Sequence, residues 1–342
     1  MKEFQITNPY RGVQVSKSAI SGTASIKLEK LENEPLQDGE VRIKVNYSSI
    51  NYKDALAANG NPGVMLTSPL VPGIDAVGVI VESTVPTHAV GCKVILGHED
   101  FGTRRDGGWQ EYVRASANWL VNLPSSLSPF RCMAMGTAGF TAAQSLESLL
   151  FHETKPERGP IAVSGATGGV GSFSIMLLHH LGYEVIAISS KPDQVEKLKA
   201  LGAAQVLLRQ EFEDTSGRPL LSGRFAGAID AVGGNTLATI IKSTKRGGVI
   251  TACGNAGGAD LHTNVYPFIL RGVSLVGIDS AGVDVTNRQR IWNRLATEWN
   301  LPQVESLVTT IDLQQTPTAA QELLAGRMSG RYVVKVCGHE VD

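Results

Sequence analysis

Charge is scarce in this chain. Lys, Arg, Asp and Glu together make up 18 % of its 342 residues, against about a quarter in ordinary globular domains. The 31 basic and 32 acidic side chains leave a net charge of −1. The densest basic spots, Arg104-Arg105 and Lys242 to Arg246, are short. A nucleic-acid partner is therefore not expected, because phosphate backbones need clustered Lys and Arg. Cysteine is scarcer still: Cys92, Cys132, Cys253 and Cys337 are scattered and form no C-x-x-C. That excludes a disulfide framework and points to free thiols in a reducing, cytoplasmic compartment. With 15 prolines and no G-X-Y period, neither a disordered Pro/Gly segment nor collagen fits. Met1 to Arg11, with Lys2, Glu3 and Arg11, holds no apolar run, so no signal peptide is expected. Absent too are G-x-x-x-x-G-K-[ST], G-x-S-x-G and H-E-x-x-H. Their absence argues against P-loop phosphoryl transfer, α/β-hydrolase chemistry and zincin proteolysis.

Glycine, by contrast, is abundant. There are 37, and 20 of them fall between Gly159 and Gly282. At this length two domains are expected, since single cores rarely outgrow ~250–300 residues. Up to about residue 130 the chain reads as β-rich. Val41 to Val45 alternates with period two as a half-buried strand does, and Val77 to Val81 and Lys93 to Leu96 are further short strands. Turn signals separate them: Asp38-Gly39, Asn59 to Gly63, Val71-Pro72-Gly73 and Asp106-Gly107-Gly108. This spacing predicts a barrel-like all-β domain. Beyond residue 130, strands and helices alternate. Strands are expected at 160–164, 184–189, 205–208, 227–230, 248–252 and 274–278, and helices at 169–181 and 192–201, with Gly202 as helix stop. Such alternation means a parallel sheet with helices on both faces. A last helix is expected over 287–299, followed by short elements to Val336. Gly159 to Tyr183 contains no charged residue, but Pro160 and six glycines suit a buried strand, turn and helix better than a membrane span.

The glycine excess centres on Val163-Ser-Gly165-Ala-Thr-Gly168-Gly169-Val-Gly171-Ser172. It follows a strand and opens a helix. Small residues there let the backbone approach a pyrophosphate, and the helix N-terminus offers free N–H groups and a positive dipole end. The end of the next strand chooses the dinucleotide. An acid there would bind the ribose 2′-hydroxyl of NAD. Ser189-Ser190-Lys191 stands there instead; hydroxyls and an ammonium suit a 2′-phosphate, so NADPH is expected over NADH. Asp193 is the nearest acid and reads as helix-dipole stabilisation. A short-chain dehydrogenase would pair this loop with Tyr-x-x-x-Lys, and neither Tyr183, Tyr266 nor Tyr332 has Lys four residues on.

Over nearly its whole length the chain resembles the medium-chain dehydrogenase/reductase superfamily, and within it the zinc-free quinone oxidoreductase-like YhdH/AcuI group. The carriers are Ser48-Ser-Ile-Asn-Tyr-Lys-Asp-Ala-Leu56, Val71-Pro-Gly-Ile-Asp75, Gly136-Thr-Ala-Gly-Phe-Thr-Ala142, the 164–172 loop, Gly227-Ala-Ile-Asp-Ala-Val-Gly233, Cys253-Gly-Asn-Ala-Gly-Gly258 and Pro267-Phe-Ile-Leu-Arg271. The resemblance implies an α/β fold. A GroES-like β-barrel catalytic domain would be built from 1–130 and 285–342, and a Rossmann NADPH-binding domain from 131–284. Zinc alcohol dehydrogenases of the superfamily place Cys where Asn51 stands, and Gly-His-Glu where Gly73-Ile74-Asp75 stands. An amide and an isoleucine cannot replace thiolate and imidazole ligands, so no metal is expected. Gly97-His98-Glu99 is out of place, so His98 reads as a loop histidine. Cys92 reads as a small buried hydrophobe, and the adjacent His179 and His180 point different ways on a helix.

A reaction that needs no Lewis acid is hydride transfer from NADPH to an activated C=C or a quinone. For an enoyl thioester, hydride reaches the β-carbon, and hydrogen-bond donors must steady the enolate oxygen. The resemblance implies Asn51 and Asp54 as polar active-site residues and Tyr52 beside the nicotinamide. The plain alternatives are a core aromatic at Tyr52 and a helix cap at Asp54. It further implies cofactor contacts at Tyr52, Thr137, Thr141, Gly165, Thr167, Gly168, Gly169, Val170, Ser189, Ser190, Lys191, Arg209, Asn255, Ile269, Ser280 and Arg331. Arg209 and Arg331 read equally as surface charges. Arg104 and Arg105 could meet phosphates of a CoA substrate. The resulting expectation is reduction of a small 2-enoyl-CoA such as acrylyl-CoA. An NADPH:quinone oxidoreductase and a non-catalytic NADPH-binding protein are the alternatives. A homodimer through an edge strand at 274–278 is expected, with no membrane partner.

Overall fold

The computed structural model describes residues 5–18 and 22–337; Lys2, Glu3 and the last residues of the 285–342 segment lie outside these. Two compact units form: Met1–Thr137 with Ala281–Glu298 and Pro302–Asp342, and Ala138–Ser280 with Trp299–Leu301. The texture change near 130 precedes the first division, since the apolar helix that starts at Pro129 belongs to the first unit for its first nine residues.

The first unit opens with a hairpin of β1 (Tyr10–Lys17) and β2 (Ala24–Leu31). Next come β3 (Glu40–Ser49), α1 (Tyr52–Ala58), β4 (Ala76–Ser83), β5 (Lys93–Leu96), β6 (Tyr112–Ser116), β7 (Leu120–Asn122) and the start of α2 (Pro129–Phe151). β3 corrects the reading of a half-buried strand: both its faces are buried. Arg42 can be buried there because its guanidinium is paired, while Lys44 stays half-buried. Arg42 donates to Glu82 (2.9 Å), to Asn33 Oδ1 and to the Glu34 carbonyl. The strand lies inside a seven-stranded sheet, between β15 and β4, and also pairs with β6. Val41, Ile43, Val45, Ile80, Val94, Phe101 and Trp109 form the core beneath it. Trp109 is fully buried, and its Nε1 donates to the Ser49 carbonyl at 3.1 Å. That bond fixes the end of β3, from which α1 departs. Cys92 is exposed rather than buried, because it occupies the turn before β5.

The second unit is a six-stranded parallel sheet. It contains β8 (Ile161–Ser164), α3 (Gly169–His180), β9 (Val185–Ser189), α4 (Val195–Ala200), β10 (Gln205–Leu208), α5 (Arg209–Phe212), β11 (Phe225–Asp230), α6 (Gly234–Lys242), β12 (Thr244–Ala252), α7 (Tyr266–Arg271) and β13 (Ser274–Gly277). The order β10-β9-β8-β11-β12-β13 is that of a dinucleotide-binding Rossmann sheet, with its switch point between β8 and β11. The uncharged stretch 159–183 resolves into β8, the glycine turn and α3. No helix among the described residues is long and apolar enough to cross a membrane.

The chain then returns to the first unit as α8 (Val285–Ala296), β14 (Val308–Asp312), α9 (Thr316–Leu324) and β15 (Arg331–Lys335). β15 pairs with both β14 and β3, so Arg331 is delivered to the strand end that carries Ser49. α1 packs against α9.

Candidate active site

In the first unit the site grows from the end of β3. Ser49, Asn51 and Asp54 lie there within six residues, and Asp75 begins the neighbouring β4 region. An acid at the head of a buried apolar strand must find partners, and Asp75 finds several. Its Oδ2 accepts from Ser49 Oγ (2.6 Å), Asn51 Nδ2 (2.8 Å) and the Thr137 N–H (2.9 Å), and its Oδ1 accepts from Thr137 Oγ (2.6 Å). Thr137 has an N–H to offer because Gly136, at φ +51 and ψ −155, breaks α2 just before it. A Cβ at Gly136 would sit 2.5 Å from Asp75 Oδ2, 2.7 Å from Arg331 Nη2 and 3.1 Å from Ser49 Oγ. Only glycine admits this backbone and this approach.

Arg331 closes the web. Its Nη1 donates to Asn51 Oδ1 at 2.9 Å and to the Ile50 carbonyl at 3.1 Å, and its Nε to the Ala134 carbonyl at 3.3 Å. Nη2 lies 3.9 Å from Asp75 Oδ2. With 3 % of its surface exposed, Arg331 is no surface charge, and its guanidinium faces protein groups rather than open space. Burial lowers its pKa, against the pull of Asp75 and Asp54.

Asp54 and Tyr52 part company. Asp54 is wholly enclosed: Oδ2 accepts from the Asn51 N–H (2.8 Å), and Oδ1 from the Gly73 and Ile74 N–H groups (3.1 and 2.7 Å). It caps α1 and staples the 73–74 turn to it, so it cannot touch a ligand as a polar active-site group would. Desolvation, followed by the charge of Asp75, pushes its pKa up to about 7. Tyr52 is 48 % exposed, not a core aromatic. Asn51, 9 % exposed, has its Nδ2 committed to Asp75 and, at 3.2 Å each, to Ser49 Oγ and Asp54 Oδ2. Its Oδ1 is held by Arg331. Of the three residues expected to act on substrate, only Tyr52 presents a donor to solvent.

Arg104 pairs with Asp100 (3.1 Å) and Arg105 with Glu40 (2.6 Å). His98 stacks on Trp119 at 4.5 Å, and burial lowers its pKa. Among the described residues no three His, Cys, Asp or Glu side chains gather as a metal site would need.

In the second unit the glycine loop makes the expected cradle. Gly165, at φ +60, turns the chain off β8, Gly168 caps α3, and a Cβ at Gly171 would meet the Gly165 carbonyl at 2.4 Å. The first-turn N–H groups of α3, from Gly169 and Val170, have no intrahelical acceptor; they lie beside Thr167 and suit a pyrophosphate. Ser172 Oγ ties the helix to the Ala166 carbonyl. Asp230 organises the switch point: Oδ1 accepts from Ser164 Oγ (2.5 Å) and Oδ2 from the Gly233 N–H (2.8 Å). Burial raises its pKa. Sequence reasoning assigned no role to Asp75 or Asp230. Each borders a buried apolar strand, and that placement was the available signal.

At the end of β9, Ser189 is buried and its Oγ accepts from the Lys191 N–H at 3.0 Å, while Ser190 is exposed. Asp193 accepts from Gln194 Nε2. Arg209 opens α5, directly after β10, with its Nη1 3.6 Å from the Cβ position of Gly257. Asn255 is in that exposed turn. Ile269 is 66 % exposed on α7, Ser280 follows β13, and Thr141 is buried in α2, with Ser145 Oγ donating to its carbonyl.

Comparison with known proteins accounts for both units. Residues 37–125 match the family described as alcohol dehydrogenase GroES-like domain, and residues 169–296 that described as zinc-binding dehydrogenase. Acrylyl-CoA reductase AcuI of Ruegeria pomeroyi is 39 % identical over 96 % of this chain and 99 % of its own length. The putative quinone oxidoreductase YhfP of Bacillus subtilis is 38 % identical over 96 % of this chain and 99 % of its own. The YhdH oxidoreductase of Salmonella enterica, solved with NADP, superposes with a TM-score of 0.92 at 38 % identity, over 96 % of this chain and all of that one. YhfP solved with NAD superposes equally well, with the same coverage of both chains. The chain belongs to the medium-chain dehydrogenase/reductase superfamily, in the group of AcuI, YhdH and YhfP.

Proposed function

We propose that this protein is a zinc-independent NADPH-dependent oxidoreductase that reduces the C=C bond of a small 2-enoyl-CoA thioester such as acrylyl-CoA. The match to an acrylyl-CoA reductase over nearly the full length of both chains carries the substrate class. The residues fit the cofactor: the α3 N-terminus and glycine turn suit its pyrophosphate, and Ser190 and Lys191 suit a 2′-phosphate with no acid in their place. When bound, NADPH supplies a hydride; the chain supplies orientation and charge stabilisation. Tyr52, the exposed donor at the start of α1, is the group placed to hydrogen-bond the thioester oxygen as negative charge develops there. Asn51 and Asp54 fix the α1 start that carries it. The remaining cofactor contacts are proposed at Thr137, Thr141, Thr167, Arg209, Asn255, Ile269 and Ser280.

NADPH:quinone oxidoreduction is the second reading, supported by the likeness to YhfP. NADPH oxidation is to be followed with acrylyl-CoA, crotonyl-CoA and a quinone in parallel. Turnover of acrylyl-CoA at least tenfold faster than of the quinone is expected. The reverse order favours the second reading, and tight NADPH binding with no turnover overturns both. A homodimer through the free edge of β13 fits the sheet order, and sizing chromatography tests it. The four cysteines, all free, support a cytoplasmic location.

A further inference from the structure

Asp75 stands where zinc relatives carry part of a metal-binding triplet, yet here all its bonds go to protein donors. We infer that Asp75, backed by Arg331, is the positioning residue of this active site: it locks the Asn51 carboxamide in one orientation and ties the Asn51-Tyr52 end of α1 to the Gly136-Thr137 break in α2. The reasoning is one of donor and acceptor identity. A carboxylate only accepts and a guanidinium only donates. Asn51 Nδ2 must therefore face Asp75, and Oδ1 must face Arg331, at 2.8 and 2.9 Å. A flipped amide would set donor against donor and oxygen against oxygen at both ends. The same Asp75 carboxylate takes both the N–H and the hydroxyl of Thr137. Arg331 Nε reaches Ala134, one turn earlier in α2. One buried pair thus fixes two elements that meet nowhere in sequence, and Gly136 supplies the space in which they meet. Without the pair, Asn51 can rotate, and Tyr52 next to it loses its reference. Misplacement by about 1 Å costs on the order of a hundredfold in rate.

This inference rests on the reductase reading above, and the test separates the two. Asp75→Asn and Arg331→Lys are made singly and in the Asn51→Ala background. The expected result is a kcat for acrylyl-CoA about a hundredfold lower in each single variant. In the Asn51→Ala background the further loss is under about threefold, because the groups act as a unit. Hydrogen exchange of the Asn51 side-chain amide, read by NMR on the whole protein, is expected to quicken at least tenfold in both variants. An unchanged kcat in a folded variant overturns the inference, as do losses that multiply fully in the Asn51→Ala background. If wild-type protein does not turn over acrylyl-CoA, the reductase reading fails. The amide exchange then still decides, and an unchanged rate in Arg331→Lys refutes the positioning role.

Discussion

Gly136→Ala is the sharpest single perturbation of the first unit. Two costs add. An L-residue at φ +51 and ψ −155 occupies a region that glycine alone visits freely, at about 1–3 kcal/mol. The new methyl would also stand 2.5 Å from Asp75 Oδ2 and 2.7 Å from Arg331 Nη2, roughly 1 Å inside ordinary contact. Those atoms cannot swing aside cheaply, because Asp75 is held by Ser49, Asn51 and Thr137 and Arg331 by Asn51, Ile50 and Ala134. Overpacking of this kind costs about 1–3 kcal/mol. The expected destabilisation is therefore about 2–6 kcal/mol, which lowers Tm by several degrees or more in a protein of this size. Relief by displacing Asp75 would instead appear as lost kcat. Gly277→Ala is the control, since a Cβ there meets nothing within 4 Å. Thermal unfolding and steady-state kinetics on both variants make the assay. A Gly136→Ala protein that melts within a degree of wild type and keeps its kcat would refute the geometry of the web.

Three further outcomes are expected. Asp54 holds its proton more tightly folded than unfolded, with its pKa up at about 7. Its contribution to stability is therefore fully present below about pH 4 and is lost as pH rises towards 7, by at most ~4 kcal/mol. Urea unfolding of wild type and Asp54→Asn from pH 5 to 8 should show the wild type losing ground to the variant as pH rises, and a constant difference contradicts this. Lys191→Ala should raise KM for NADPH about ten- to a hundredfold, the worth of one charge-assisted contact, and leave KM for NADH within threefold; equal effects on both would remove Lys191 from 2′-phosphate recognition. Tyr52→Phe should lower kcat about ten- to a thousandfold with little change in NADPH affinity, and an unaltered kcat would show that the thioester oxygen takes its hydrogen bond elsewhere.

Local chemistry was legible where it is written in consecutive residues. Strands β5 and β10 begin and end where the pattern put them, and the Gly165–Gly171 turn carries its own reasons: a left-handed φ at Gly165 and a helix packed too close for a side chain at Gly171. What stayed hidden was pairing across distance. Arg42 and Lys44 alternate with apolar residues and so imitate a solvent-facing edge, but partners for Arg42 from the 33–34 segment and from β4 let that face of β3 be covered at Arg42. Arg331 lies 280 residues from Asn51, and no periodicity in the sequence joins them.

The same distinction separates the segment the sequence singled out in the first unit from the bonds made within it. Asn51 and Ile74 stand where the resemblance to zinc relatives places metal ligands, and that is visible position by position. The sequence does not say which groups hold those strand ends together. A zinc ion holds its ligands together through charge at one point. Here one carboxylate, one guanidinium and one amide hold strand ends through directional hydrogen bonds, with Arg331 Nη2 left 3.9 Å from Asp75 Oδ2 and without a hydrogen bond among the described residues. The web's charged groups, Asp75 and Arg331, are both buried and so turned away from solvent. Any electrophilic help must come from a group outside it, and among the residues expected to act on substrate that leaves the exposed phenol of Tyr52. A reductase acting on an already polarised C=C needs no more than that from its protein.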